Sequence, residues 1–208
     1  MPGEGVLQFR ADHRQRPLDK EAMAAVAPLL AWRRVLQRLG LIGRQPERYE
    51  GLAYGNLSLR LGSESFLVTA SQTSHLEAAS ESDLVVVDGW DLAANRLTSQ
   101  GPSLPSSESL SHGALYQRDP AIGAVFHGHS PEIWRSGLTQ GLPATPEDAL
   151  NGTVELARAL AEEPAFGNSG LIIMAGHEDG VLAYGATAEE AGGHFVTALA
   201  KAWQDSRE

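Results

Sequence analysis

His127-Gly128-His129 closes an apolar run, Ala121 to Phe126, that reads as a strand. Residues i and i+2 of a strand share a face, so both imidazoles can reach one ion while Gly128 keeps the opposite face clear. The motif alone is weak, because two histidines at a strand end also suit a solvated surface. A third histidine, His177, follows a second apolar strand, Gly170 to Met174, at the tip of a hairpin. It would equally suit a polar turn with Glu178 and Asp179. Catalytic zinc commonly takes three protein ligands and leaves one position open, and three of the seven histidines stand at strand ends. Glu108 follows Ser106 and Ser107 where a helix is predicted to open at Ser106 or Ser107. Hydroxyls and free N–H groups there face the positive end of the helix dipole, and the carboxylate is a candidate fourth ligand or acid/base. In isolation, an ordinary acidic first turn suits Glu108 better.

Composition narrows the partners. A net charge of -10 argues against nucleic acid, which calls for clustered Lys and Arg, but leaves room for a phosphorylated small molecule at a locally positive site. The chain has no cysteine, which removes thiolate nucleophiles, disulfides and Cys-type zinc sites. Met1 to Arg16 is polar, unlike a secretory signal, and no apolar run is long enough to span a membrane. The reading is a soluble cytoplasmic protein whose 208 residues form one domain, with 1–16 a loosely ordered lead-in.

These residues need elements to position them. Leu18 to Leu39 carries apolar residues at helical spacing, ended by Gly40 and Gly43. Leu57, Leu59 and Leu61 alternate with polar residues as a strand, and Phe66 to Thr69 is its hairpin partner across 62–65. Leu84 to Val87 is a buried strand turned by Gly89, and Leu97-Thr98 a short edge strand. A helix runs to Arg118 and a short one starts at Pro131. Another spans Glu147 to Glu163, and Thr187 caps the last, which runs to Trp203. Short strands next to their sequence neighbours, with helices before, between and after, predict an α/β sandwich on a mixed, largely antiparallel sheet.

The ordered set Gly55-Asn56-Leu57-Ser58-Leu59-Arg60, Leu67-Val68-Thr69, Pro105-Ser106-Ser107-Glu108 with His112 and Tyr116, His127-Gly128-His129, Gly152-Thr153 and His177 resembles the class II aldolase/adducin family from about residue 20 to 200. The resemblance implies a three-layer α/β/α sandwich and a Zn2+ ion held by His127, His129, His177 and Glu108. Glu108 would double as general acid/base, and Asn56, Ser71, Ser106 and Ser107 would line a substrate-phosphate pocket. The implied activity is retro-aldol cleavage of a small sugar phosphate or related ketose through a metal-stabilised enediolate. A dehydratase or 4-epimerase on the same metal is the alternative, and a non-catalytic adducin-like interaction module a third reading. Glutamate at 108 resembles the aldolases and methylthioribulose-phosphate dehydratase, whereas the 4-epimerase would favour aspartate.

Three departures stand out. No tyrosine lies between Tyr116 and Tyr184, where the aldolase draws one. Gln72 follows Ser71 in place of glycine, and Glu178-Asp179 follow His177 directly. The resemblance implies a homo-oligomer, a tetramer by preference, with the site at or near a subunit contact. His112, one turn after Glu108, is read as packing. Trp32, Trp134 and Trp203 are read as core or contact residues, and His13, His75 and His194 as bystanders.

Overall fold

The structure is a computed structural model that describes residues 9–205. An eight-stranded sheet runs through them in the order β1 (Arg10–Gln15), β7 (Arg96–Gly101), β6 (Leu84–Asp91), β5 (Phe66–Thr69), β4 (Asn56–Arg60), β8 (Ala124–His129), β10 (Gly180–Gly185) and β9 (Gly170–Ile173). All neighbours are antiparallel except β1 with β7. A two-stranded ribbon, β2 (Gly43–Arg44) with β3 (Ala53–Tyr54), stands apart.

Helices cover both faces, as the α/β sandwich reading requires. Alternate strand residues divide between two cores. Phe66, Val68, Val125 and Leu182 pack under α2 (Ser109–Arg118) and α4 (Val154–Glu162). Leu67, Phe126, Val181 and Ala183 pack under α1 (Lys20–Arg38), α3 (Pro131–Gln140) and α5 (Ala188–Asp205). A strand with apolar residues on both sides must be roofed twice, and this is why the period-2 pattern fades in the central strands. Asp19 caps α1 by accepting from Ala22 N, and the Thr187 hydroxyl accepts from Glu190 N at the start of α5.

Several local expectations change. Residues 1–8 lie outside the described part, but 10–15 are a strand rather than a loose lead-in, held by parallel pairing with β7. That partner lies more than eighty residues away and leaves no local signal. Leu97-Thr98 is therefore an inner strand. Gly89 does not turn β6; the strand passes it with a register shift at Val87/Gly89 and continues to Asp91. The fourth helix begins at Val154, capped by the Thr153 hydroxyl, because 147–153 forms turns instead. Among the described residues no helix is long and apolar enough to cross a membrane.

The sheet register gathers the chemistry at one end. Asn56 pairs with His127, and His127 with Leu182 on the other side. His129 pairs with Gly180, next to the turn that carries His177. Ala70, just after β5, bridges Pro105, and Ser71 N donates to Leu104 O, which draws the 104–108 segment to the same end. Gly128 points away from the histidines, where an added Cβ would lie 2.7 Å from Leu41 O and 3.2 Å from Phe195. A backbone oxygen cannot step aside as a flexible side chain can. Gly128→Ala is expected to lower unfolding free energy by about 1–3 kcal/mol, checked by urea denaturation of metal-free protein.

Candidate metal centre

β8 ends in His127 and His129, both turned to the α2 side, and the turn between β9 and β10 supplies His177. All three are buried. Their ligand atoms lie within 4.8 Å of one another. The separation is 3.2 Å between Nε2 of His127 and His129, and 2.9 Å between Nε2 of His129 and His177. Nitrogens bound tetrahedrally at about 2.0–2.1 Å from zinc sit about 3.3 Å apart, close to this spacing.

Tautomers sharpen the point. His127 Nδ1 lies 3.1 Å from Val181 O. A carbonyl oxygen only accepts, so Nδ1 carries the proton and Nε2 presents its lone pair to His129. A ring proton on His129 Nε2 cannot lie along both of its contacts, whereas a cation among the three satisfies every lone pair at once. Burial first, then the neighbouring imidazoles, pushes the pKa of His127 and His129 well below the ordinary histidine value. Both are therefore neutral, the form in which imidazole binds metal. Spacing, tautomer and protonation all fit a divalent ion.

The other expected residues fall around this group. Glu108 is not among the ligand atoms that converge. It is almost wholly buried, and its Oε2 accepts from Ser111 Oγ at 3.2 Å. The helix begins later than expected, so Glu108 itself holds the position before the first helical residue, with no side-chain capping bond. Ser106 and Ser107 form a buried lead-in, where Ser106 O accepts from both the amide and the hydroxyl of Ser109. Asn56 is buried beside His127, and its Oδ1 has no hydrogen-bond partner among the described residues. Ser71 is half-buried at the end of β5. Gln72 adopts a left-handed backbone, φ 59°, and its amide group bonds the backbone of Ala53 in both directions. Glutamine here ties the Ser71 loop to β3.

Sequence reasoning missed Arg48, Tyr49 and Tyr54. The rings of Tyr49 and Tyr54 pack against His129 with centroids 4.5 and 5.4 Å away. Tyr49 OH donates to Asp179 Oδ2 at 2.8 Å, and Arg48 Nη2 lies 2.6 Å from the same oxygen. Burial and then the bond to Asp179 push the Tyr49 phenol well above its usual range. Asp179, read as a turn residue, does stand in the turn but is buried and paired. The one local sign was three aromatic or cationic residues in the span 48–54.

His112 belongs to the core under the site. Its Nδ1 is 2.6 Å from Ser58 Oγ, which is 2.8 Å from Tyr116 OH. Its ring stacks on Phe66, and its Nε2 has no hydrogen-bond partner among the described residues. Trp32 packs on Phe126 and Trp134 donates to Met174 O, whereas Trp203 is half exposed. His13 bonds Ser99, His194 bonds Ser169 and His75 is exposed, so none of the three joins the centre.

Residues 46–202 match the profile of the Class II Aldolase and Adducin N-terminal domain family. L-ribulose-5-phosphate 4-epimerase UlaF of Salmonella paratyphi B is 32% identical over 129 residues, 58% of this chain and 54% of that protein. Methylthioribulose-1-phosphate dehydratase of Granulibacter bethesdensis is 37% identical over 97 residues, 46% of this chain and 42% of that protein. The chain thus aligns with about half the length of these curated relatives. Among solved structures, L-fuculose-1-phosphate aldolase from Thermus thermophilus shares the fold, with a TM-score of 0.58 and 22% identity over 89% of this chain and 93% of that one.

Full burial pushes the His112 pKa down to about 3. The unfolded chain binds this proton near pH 6.5 and the folded chain does not, so stability is present above 6.5 and is lost as pH falls from there toward 3. The whole span corresponds to a few kcal/mol, on the order of 4. Urea unfolding of metal-free protein at stepped pH should show this slope, which His127 and His129 steepen, and His112→Asn should remove the His112 share while theirs remains.

Proposed function

Since the chain belongs to the class II aldolase and adducin family, we propose that His127, His129 and His177 hold one divalent ion, zinc in the first instance, in a lyase that cleaves a small sugar phosphate or related ketose by a retro-aldol reaction. The observation that carries this reading is the convergence of three buried imidazoles, with Nε2 atoms 2.9 and 3.2 Å apart. When bound, the ion supplies a Lewis acid for the carbonyl and hydroxyl oxygens of the substrate.

The chain's own residues do the rest. Glu108, buried at the head of α2, carries the proton between substrate carbon or oxygen and the site. We place it in that role rather than as a fourth ligand, because its carboxylate stands outside the converging group. Asn56, Ser71, Ser106 and Ser107 anchor the phosphate at the positive end of the α2 dipole. Held at its far end, the substrate would turn its carbonyl and hydroxyl oxygens to the histidine group and its reacting carbon to Glu108.

A 4-epimerase or dehydratase on the same centre is the second reading, favoured by the activities of the two relatives above. All three reactions require charge stabilisation on the same oxygens plus one positioned acid/base. A non-catalytic adducin-like module is opposed by the intact histidine set. We further propose a single domain over 1–208 in a cytoplasmic homo-oligomer, a tetramer by preference, with a small phosphorylated substrate as partner and neither nucleic acid nor membrane.

Metal analysis of purified protein should find one divalent ion per chain, lost in His127→Ala and His177→Ala. Retention of metal by either variant would count against the site. A screen of ketose phosphates, scoring aldehyde release against isomer exchange and loss of water, separates the three activities. Glu108→Gln should keep the metal and lose turnover by roughly a hundredfold or more; parental turnover in this variant would remove Glu108 from the mechanism.

A further inference from the structure

We propose that Arg48, Tyr49 and Asp179 form a latch that positions His129 and His177 together and slows exchange of the ion they hold; this rests on the metal reading above. Asp179 stands two residues after His177, in the turn before β10. Its Oδ2 accepts from Tyr49 OH at 2.8 Å and pairs with Arg48 Nη2 at 2.6 Å, and its side chain is only 4% exposed. The ring of Tyr49 meanwhile lies edge-on to His129, at 4.5 Å between centroids, and packs on Tyr54 at 4.9 Å. One residue thus touches the second histidine with its ring and the third histidine's turn with its hydroxyl. The two histidines sit on different elements, separated by 48 positions, and Tyr49 bridges them from outside the sheet.

The backbone supplies an independent sign. Five non-glycine residues among those described have positive φ, and Tyr49 (50°), Glu50 (57°) and Asp179 (63°) are three of them. They lie on the two sides of this one contact. Such conformations persist where surrounding contacts hold them, and they gather at functional sites. The turn Tyr49–Gly51 makes no side-chain capping bond; Arg44 Nε donates to Gly51 O at its far end, and the grip of Asp179 on Arg48 and Tyr49 ties it to the turn that carries His177. The partner side is fixed by Asp179 O, which accepts from Ser130 N at the start of α3. Asp179 is not in the converging ligand group; its carboxylate is spent on Arg48 and Tyr49. Its role is therefore positioning. Breaking the bond should let the His177 turn and the Tyr49 ring separate, which opens a path for water and chelator.

The test uses the full chain loaded with Co2+, followed by its visible absorption, in the parent, Tyr49→Phe, Asp179→Asn and the double variant. Each single variant should lose Co2+ to a chelator about tenfold to a hundredfold faster than the parent, with altered visible bands. The double variant should be no faster than Asp179→Asn alone, since both changes remove the same bond. Tyr49→Phe keeps the ring, so its metal-free thermal midpoint should fall by no more than the loss of one hydrogen bond, roughly 2–4 °C, which separates positioning from packing. Parental release by Tyr49→Phe, additive effects in the double variant, or release that merely follows metal-free stability would overturn the latch while leaving the metal centre intact. A parent that takes up neither Co2+ nor Zn2+ would overturn the metal reading and the latch with it.

Discussion

Three imidazole nitrogens face one another in a buried place, and the rest of the site depends on how that conflict is resolved. Val181 O fixes the proton of His127 on Nδ1, and burial keeps His127 and His129 uncharged. In water such lone pairs would be hydrated; here they converge within 4.8 Å of one another, away from solvent. A folded chain that buries polar groups in this way carries a cost that a ligand recovers. The sheet makes the arrangement unavoidable, because β8 lies between β4 and β10 with Asn56 and Leu182 on either side of His127. No side-chain rotation can carry both histidines of β8 to the other face, where Leu41 and Phe195 press against Gly128.

Much of this was legible because it follows from short-range periodicity. The i, i+2 spacing of His127 and His129, the apolar run before them and the hairpin around His177 are local patterns with one cheap geometric outcome. The hairpin of β4 and β5 and the cap at Thr187 are equally local. What stayed hidden depends on long-range contact or unusual backbone. β1 becomes a strand only because β7 offers it an edge, and its own sequence, Arg-Ala-Asp-His-Arg-Gln, has no strand pattern. Gly89 reads as a turn in sequence, yet pairing with β7 carries the strand past it as a bulge.

The same division runs through the site. The histidines were visible because two of them share one strand face at i, i+2 and the third follows an apolar strand. Arg48 and Tyr49 were not, because they lie in a tight turn with positive φ whose meaning comes from Asp179, about 130 positions away. Asp179 itself looked like turn chemistry, and its left-handed backbone agrees with that; only its burial beside a cation reveals a second role. Gln72 misled in the opposite direction. A glutamine at a left-handed position looks like a defect in the Ser71 loop, yet its side chain closes two bonds to Ala53 and holds that loop in place.

The two kinds of residue suggest how one fold can serve several reactions. His127 and His129 come from a paired strand of a sheet buried on both faces, and His177 from the short turn beside it, so the strand pair is the stiff part of the centre. Asn56 apart, the residues proposed to meet substrate lie on connecting segments: Ser71 on a loop tethered by Gln72, and Ser106 to Glu108 before the first turn of α2. Loops tolerate substitution and insertion far better than central strands do. Reactions that share charge stabilisation but differ in where the proton goes can therefore diverge by changes in these segments while the metal centre stays the same. An altered lead-in to α2 moves Glu108 without disturbing β8, and an altered 70–72 loop moves the far end of the substrate without disturbing either. On the proposed reading, the choice of reaction would rest on the distance between two independently adjustable supports and the histidine group, a quantity that depends on the length and bonding of a few turns and that no single residue type reports.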